Sequence, residues 1–569
     1  MNKDINFVVA PTLVAPTAAI RRVDPKLLTD CSKCEGNINI GIFFDGTSNN
    51  RDADKPKLKH TNVVRLFDTY LDKPMQGYFR SYIPGVGTRF PEIREQGESM
   101  FGNGFGNGCE ERVLFGLLYV FNAVHRSAFD NHEFLSEAQV TALCCCNSVQ
   151  WSEDDPDSVA LAKLGLFSGL RLPTFVGAGK RVQILKTLAQ RLQVALVKGR
   201  PIIKECFIDV IGFSRGAAEA RVFCSWLDEI LTNGKLAGVI VHFRFLGLMD
   251  TVASAGIISS VGAGLTGGDG GHSGWAEANY LRIPASVCNC VHMIAVHELR
   301  KNFPVDTITD QGELPAHCQE FAYPGAHSDI GGGYAPGDLG IAFGADPRSA
   351  DAHKLAQIPL NHMFACAIAA GAPMNKARAN DKLHDYDPFA VAPAVQKAYE
   401  DFLACSTHTP RPVHAWLQPY LNWRWEHRLE YASLTQIQKA NEKDRALLIK
   451  YNGQLIADAA YLTNPPKSPG MVDLLISPKN AIAQRIEVEK GRLFEEEATA
   501  VLAIAKAAPS ADPRLHVMFD LYVHDSLAGF DHGSVELSGY WRYRRGFVGN
   551  EKRLVAENDA SPNADREVA

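Results

Sequence analysis

The 569-residue chain has no uninterrupted apolar run of the roughly 18 residues that a membrane-spanning helix requires. Its best stretch, VALAKLGLFSGL from Val159, is short and holds Lys163. An excess of basic charge is missing too. With 58 Lys and Arg against 64 Asp and Glu, the net charge is -6, so nothing in the composition offsets a phosphate backbone and nucleic acid is set aside as a partner. The opening MNKDINFVVAPTLVAPTAAIRRVD places its basic pair after the short apolar stretch, the reverse of a Sec signal peptide. Thirteen cysteines, three of them consecutive at 144–146, are odd in number and follow no framework spacing, which points to reduced thiols in a cytoplasmic host. Cys31 and Cys34 form a CxxC without a second pair or nearby histidines at ligand spacing, and they read as loop cysteines. Neither metal nor cofactor is expected, and no internal repeat or heptad run appears.

What is present is an ordinary globular composition, 46% hydrophobic and 21% charged, in a chain too long for one simple core. Residues 38–44, INIGIFF, form a short apolar run that stops at the polar turn DGTSNN, the pattern of a buried strand opening into a loop. The pattern recurs at CFIDVI (206–211) and at VIVHFRFLGLMD (239–250). Helical periodicity separates such runs, as in RVQILKTLAQRLQVALVK from Arg181. Alternating strands and helices predict an α/β fold with a mostly parallel sheet flanked by helices. From about residue 346 glycine becomes sparser, and amphipathic helices are expected around 426–462 and 478–508. The expected division is an N-terminal segment (1–35), an α/β catalytic core (36–345), a helical insertion or cap (346–510), a return to the core (511–557) and a disordered tail (558–569). In that return, RLHVMFDLYVHDSLAGF reads as extended.

The chemistry centres on DVIGFSRGAAEAR, residues 209–221, which contains GxSxG around Ser214. An apolar β run leads into the turn and a good helix start follows, the strand–turn–helix of a nucleophile elbow. Ala217 and Ala218 let that helix approach the strand closely. The alternative is a Gly-rich phosphate-binding or packing turn. A serine nucleophile needs a base and an orienting acid, in the chain order Ser, acid, His. Asp250 is the acid candidate because it ends a predicted strand, where open α/β sheets place their sites; its alternative role is a helix N-cap. Three histidines compete as base: His297 after an apolar run, His524 after the last one, and His327 in the glycine-rich loop YPGAHSDIGGGY.

Together GIFFDGTSNN, IGFSRGAAEAR and FAYPGAHSDIGGGY resemble the DUF2235 α/β-hydrolase family. The closing VHDSLAGF and YWRYRRGF resemble its type VI secretion branch, the Tle1 family of antibacterial phospholipase effectors. These motifs span residues 40–550. The resemblance implies an α/β-hydrolase fold with Ser214 as nucleophile, Asp250 as acid and His327 as base. It departs from the family at LGLMDTVAS, where an aromatic residue often precedes the Asp. It further implies hydrolysis of glycerophospholipid acyl esters, delivery by a contractile machine into the periplasm of a target cell, and two partners, a secretion spike protein and a cognate immunity protein.

On this reading the oxyanion meets the backbone NH of Arg215 and a second NH near Gly46 or Thr47. The DGT loop has an alternative as a phosphate or metal turn, and Asp329 as a ligand or as an anchor of its loop. LAKLGLFSGLRLPTFVGAG (161–179) and SAGIISSVGAGLTGG (254–268) are candidates for a lid or interfacial contact, or ordinary core and loop. Competing functions are an esterase or lipase on neutral or soluble esters, a non-catalytic secretion adaptor, and a metal-dependent hydrolase centred on His327 and Asp329.

Overall fold

The computed structural model describes residues 6–9, 15–25, 34–97, 108–145, 155–165, 178–253, 276, 278–301, 303–310, 312–406, 411–465, 497–507, 512–529 and 539–547. The segment 254–268, most of 161–179, residues 478–496 and the tail 558–569 lie outside them.

Eleven strands are described: β1 (Asn6–Val9), β2 (Glu35–Phe44), β3 (Tyr78–Ile83), β4 (Ile202–Phe213), β5 (Lys235–Leu236), β6 (Val239–Met249), β7 (Cys290–Ala295), β8 (Val305–Asp306), β9 (Cys318–Tyr323), β10 (Arg411–Pro412) and β11 (Gly546–Phe547). Nine form one sheet in the order β10-β1-β9-β7-β6-β4-β2-β3, with β5 hairpinned onto β6. Every neighbouring pair from β1 to β3 is parallel; β10 and β5 pair antiparallel. The expected α/β fold with a mostly parallel, helix-flanked sheet is present.

Alternation along the strands explains why both faces are covered. Ile38, Ile40, Ile42 and Phe44 of β2 face one core with the helices Cys109–Ala128 and Arg215–Ile230, while Phe43 faces the other with Asn62–Thr69 and Gln357–Ala370. That second core continues without a break into the helices Pro393–Cys405, Val413–His427, Glu442–Thr463 and Ala498–Ala507 through Tyr399, Trp416, Leu448 and Val501.

Two elements differ from the sequence reading. PRLHVMFDL (513–521), read as extended, is a helix. Asp512 caps it by accepting from the Arg514 amide, Pro513 opens it, and Leu515, Met518 and Phe519 are buried at helical spacing. Four residues of the N-terminal segment form β1, which inserts between β9 and β10; four residues are too few to show a period.

Strand order makes β2 the switch point: its chain successor β3 lies on one side and β4 on the other. A crevice opens at the carboxyl ends of such strands. There β2 runs into Asp45, β4 into Ser214, β6 into Asp250, β7 into His297 and β9 towards His327.

Candidate active site

Ser214 joins β4 to the helix Arg215–Ile230 with φ 58° and ψ -123°, a left-handed conformation that a non-glycine residue rarely adopts. Its amide donates to Met249 O (2.9 Å), which ties the turn to the end of β6. Two glycines make the turn possible. A Cβ on Gly212 would overlap Gly216 O and Ala217 Cα, and one on Gly216 would overlap the carbonyls of Phe44 and Asp45. Both neighbours are backbone, so neither side chain can be accommodated by a rotamer change.

Asp250 also has positive φ, 47°, and is fully buried. Its Oδ1 accepts from the Ala295 amide (2.9 Å) and its Oδ2 from His327 Nδ1 (2.5 Å). Arg544 grips both oxygens, Nη1 on Oδ1 at 2.7 Å and Nη2 on Oδ2 at 2.8 Å. Burial alone would raise this carboxyl, but the Arg544 guanidinium and then His327 outweigh it and hold Asp250 well below the ordinary carboxylate range. An N-cap role for Asp250 is not seen: DTV (250–252) is not helical.

His327 begins the short helix His327–Gly331 after β9. Its ring lies between Phe213 (centroids 4.6 Å) and Phe303 (4.9 Å), so the residue preceding Ser214 touches the imidazole bonded to Asp250. Burial lowers the imidazole pKa and the Asp250 hydrogen bond only partly opposes this, which keeps the ring neutral near pH 7. With Nδ1 donating to Asp250, Nε2 is left as the basic nitrogen. The His327 amide donates to Glu298 Oε2 (3.1 Å). Burial opposes ionisation of Glu298, but Arg300 beside it brings the carboxyl down to about 2.

The two other histidines are placed elsewhere. His297 Nδ1 accepts from the Gly325 amide (2.9 Å) and its ring packs on Tyr420, Phe402 and Phe519; burial lowers its pKa to about 3. His524 Nδ1 donates to Asp329 Oδ1 (2.5 Å), and its ring stacks on Tyr334 at 3.8 Å. Asp329 also accepts from the Ala326 and His524 amides, so it ties the loop carrying His327 to the segment after Leu521. The described residues with metal-ligand proximity, Glu426, His427 and His516, include neither His327 nor Asp329.

The loop after β2 is organised by Asp45. Its Oδ1 accepts from Thr61 Oγ1 (2.6 Å) and from the Gly46 amide (2.8 Å), and its Oδ2 from Tyr82 Oη (2.7 Å). Gly46 therefore spends its NH on Asp45, and Thr47 follows it at the crevice. Burial raises the Asp45 carboxyl to about 6. Arg215, the first residue of its helix, presents its amide at the helix N-terminus.

Sequence reasoning missed Arg544, Glu298 and Glu219. The YWRYRRGF motif was visible as a motif, yet nothing in it says which arginine turns inward. Glu219 is fully buried in the elbow helix, and burial raises its carboxyl to about 8 against the pull of Arg112 and Arg215.

No curated protein matches the chain. Among solved structures it is similar to an uncharacterized protein from Pseudomonas aeruginosa, at 24% identity and TM-score 0.66 over 96% of this chain and 85% of that one. It is also similar, at 20% identity and TM-score 0.27 over 59% of this chain and 58% of that one, to the Tle1 effector bound to the VgrG spike of the type 6 secretion system. The model of the catalytic domain of type VI secretion system Tle1-like phospholipase effectors matches residues 39–239 and 232–366. That match runs over more than half of the chain and takes in Ser214, Asp250 and His327: the chain belongs to the Tle1-like phospholipase effectors of the type VI secretion system.

Proposed function

We propose that the chain is a serine phospholipase that cleaves glycerophospholipid acyl esters through an acyl-enzyme, with Ser214 as nucleophile, His327 as base and Asp250 as acid. The observation that carries this reading is the 2.5 Å bond from His327 Nδ1 to a buried, ionised Asp250, beside the strained turn that holds Ser214. His327 Nε2 takes the Ser214 proton as Oγ attacks the ester carbonyl. Asp250 stabilises the imidazolium, which then protonates the leaving alkoxide of the lysophospholipid. A water deprotonated by His327 attacks the acyl-enzyme, releasing the fatty acid and restoring Ser214. The oxyanion takes the amide of Arg215 and, because Gly46 donates to Asp45, the amide of Thr47. The described helices from residue 393 onward, which share a core with one sheet face, serve as the helical addition to this core.

In the biological setting the family implies, the protein is an antibacterial effector made in the cytoplasm and delivered to the periplasm of a target cell. It rides on the secretion spike and is neutralised by a cognate immunity protein. Among the described residues no helix is long and apolar enough to cross a membrane.

Fatty-acid release from phospholipid vesicles by wild type and Ser214→Ala tests the assignment, with folding of both followed by thermal melting. Release by wild type and its loss, by at least about a thousandfold, in a folded Ser214→Ala is the expected result. Release that persists in the variant sinks the serine mechanism. Preference for short soluble esters over vesicles would move the substrate class to neutral esters.

A further inference from the structure

Arg544 lies far beyond residue 366, where the match to the family's catalytic domain ends. Its guanidinium is nonetheless among the most enclosed groups at the site: 1% of its side chain is exposed, against 0% for Asp250. Besides its two bonds to Asp250, Nη1 donates to Ala295 O (2.8 Å) and Nε to Phe303 O (2.9 Å). Phe303 packs on His327, so one side chain touches the acid and the backbone of a residue walling the base. Main-chain pairing delivers it. β11 lies parallel to β8, with Val305 N donating to Arg545 O and Thr307 N to Phe547 O, both at 3.0 Å.

Two alternatives to a role in the reaction are weakened by this geometry. A packing arginine has no need of a fork matched to both oxygens of one carboxylate, since a bidentate pair fixes the plane of that carboxylate. A pair serving stability alone is poorly placed in a dry interior, where desolvation offsets most of the attraction and apolar residues do as well. An acid that must keep one oxygen aimed at Nδ1 and stay ionised beside a buried imidazole gains both properties from the fork.

We propose that Arg544 is a positioning residue for the reaction, holding Asp250 in the plane of the His327 bond and balancing its charge, so that the catalytic site is complete only when the C-terminal segment 540–547 is docked. This rests on the Ser214–His327–Asp250 reading. The direction of its effect follows from charge. Without Arg544 the field of Asp250 at the imidazole, to which Glu298 adds, is opposed by Arg300 but no longer by Arg544, which stabilises the imidazolium. Asp250 itself becomes easier to protonate. The first change removes the neutral base at a higher pH than in wild type, and the second removes, on further acidification, the carboxylate that supports the imidazolium.

The test compares wild type, Arg544→Met, Arg544→Lys and Ser214→Ala in the full chain. The measurement is the pH dependence of Ser214 labelling by a fluorophosphonate, a probe of nucleophile activation that needs no membrane, with thermal melting alongside. The expected result for Arg544→Met is a rate at pH 7 lower by about a hundredfold and an acid limb displaced upward by about one pH unit. For Arg544→Lys, which keeps the charge without the fork, the limb stays near wild type and the rate falls by about tenfold. A folded Arg544→Met with the wild-type limb and rate overturns the proposal. Should Met prevent folding, a Lys variant labelled at the wild-type rate overturns it equally, because positioning by the fork is then dispensable. Labelling that survives in Ser214→Ala instead sinks the underlying serine reading, an outcome separate from either.

Discussion

At the scale of single residues, two aspartate–histidine pairs each draw one member, His327 or Asp329, from the same short stretch and are assigned different work by what surrounds them. Asp250–His327 stands beside the elbow, whereas Asp329–His524 joins the loop to the segment after Leu521. Replacing His327 with alanine should reduce vesicle hydrolysis by several orders of magnitude with little change in melting temperature. The same change at His524 should lower stability by about 1–3 kcal/mol, because Asp329 is left buried with one charge-assisted bond fewer. Activity per folded molecule should then stay within about tenfold of wild type. Parallel hydrolysis and urea-unfolding measurements on the two variants separate the roles, and the reverse pattern would reassign the base. Glu219 offers a pH test. Its carboxyl is raised from 4.5 to about 8 by burial, so the folded state keeps a proton that the unfolded state has lost throughout that interval. Stability therefore falls as pH rises from 4.5 to 8, by about 1.4 kcal/mol per unit for one proton. Glu219→Gln, neutral at every pH, should flatten this slope and melt above wild type at pH 8; melting curves at pH 5, 6.5 and 8 provide the check.

At the scale of elements, what could be read from the sequence depended on whether a segment carries its own period. β2, β4 and β6 were legible because each is a long apolar run ending in a polar or glycine turn, and the elbow because its glycines stand at fixed distances from Ser214. β1 was not legible, since its place is set by a partner strand more than three hundred residues away, Val8 opposite Phe321. The helix Pro513–Leu521 was misread because an apolar run of that length fits either period, and only the Asp512–Pro513 start distinguishes them. Among candidate site residues, Ser214 and Asp250 stand at strand ends, where the sequence reading expected them, and His327, which only the resemblance singled out among three histidines, bonds to Asp250. Arg544 could not be read, because inward orientation is a tertiary fact. The elbow also carries a prediction of its own. Gly216→Ala forces a methyl group into the carbonyls of Phe44 and Asp45, so strand, loop and helix must separate. A loss of about 1–3 kcal/mol is expected, together with weakened oxyanion binding seen as a lower rate of phosphonylation; wild-type stability and rate in this variant would contradict the packing account.

At the scale of the whole molecule, the fold gathers the candidate site from groups widely spread along the chain: Asp45, Ser214, Asp250, His327 and Arg544. The described helices from residue 393 onward share their core with one sheet face, and Tyr540, Trp541 and Tyr543, just before β11, pack into that same core. Distance along the chain also sets an order in time. Asp250 and Arg544 are 294 residues apart, and at synthesis rates of about 5–20 residues per second that gap lasts roughly 15–60 s. Within that interval Ser214 and Asp250 are already made, His327 follows 77 residues after Asp250, and Arg544 is still to come. A newly made chain thus passes most of its time on the ribosome without the guanidinium that grips Asp250.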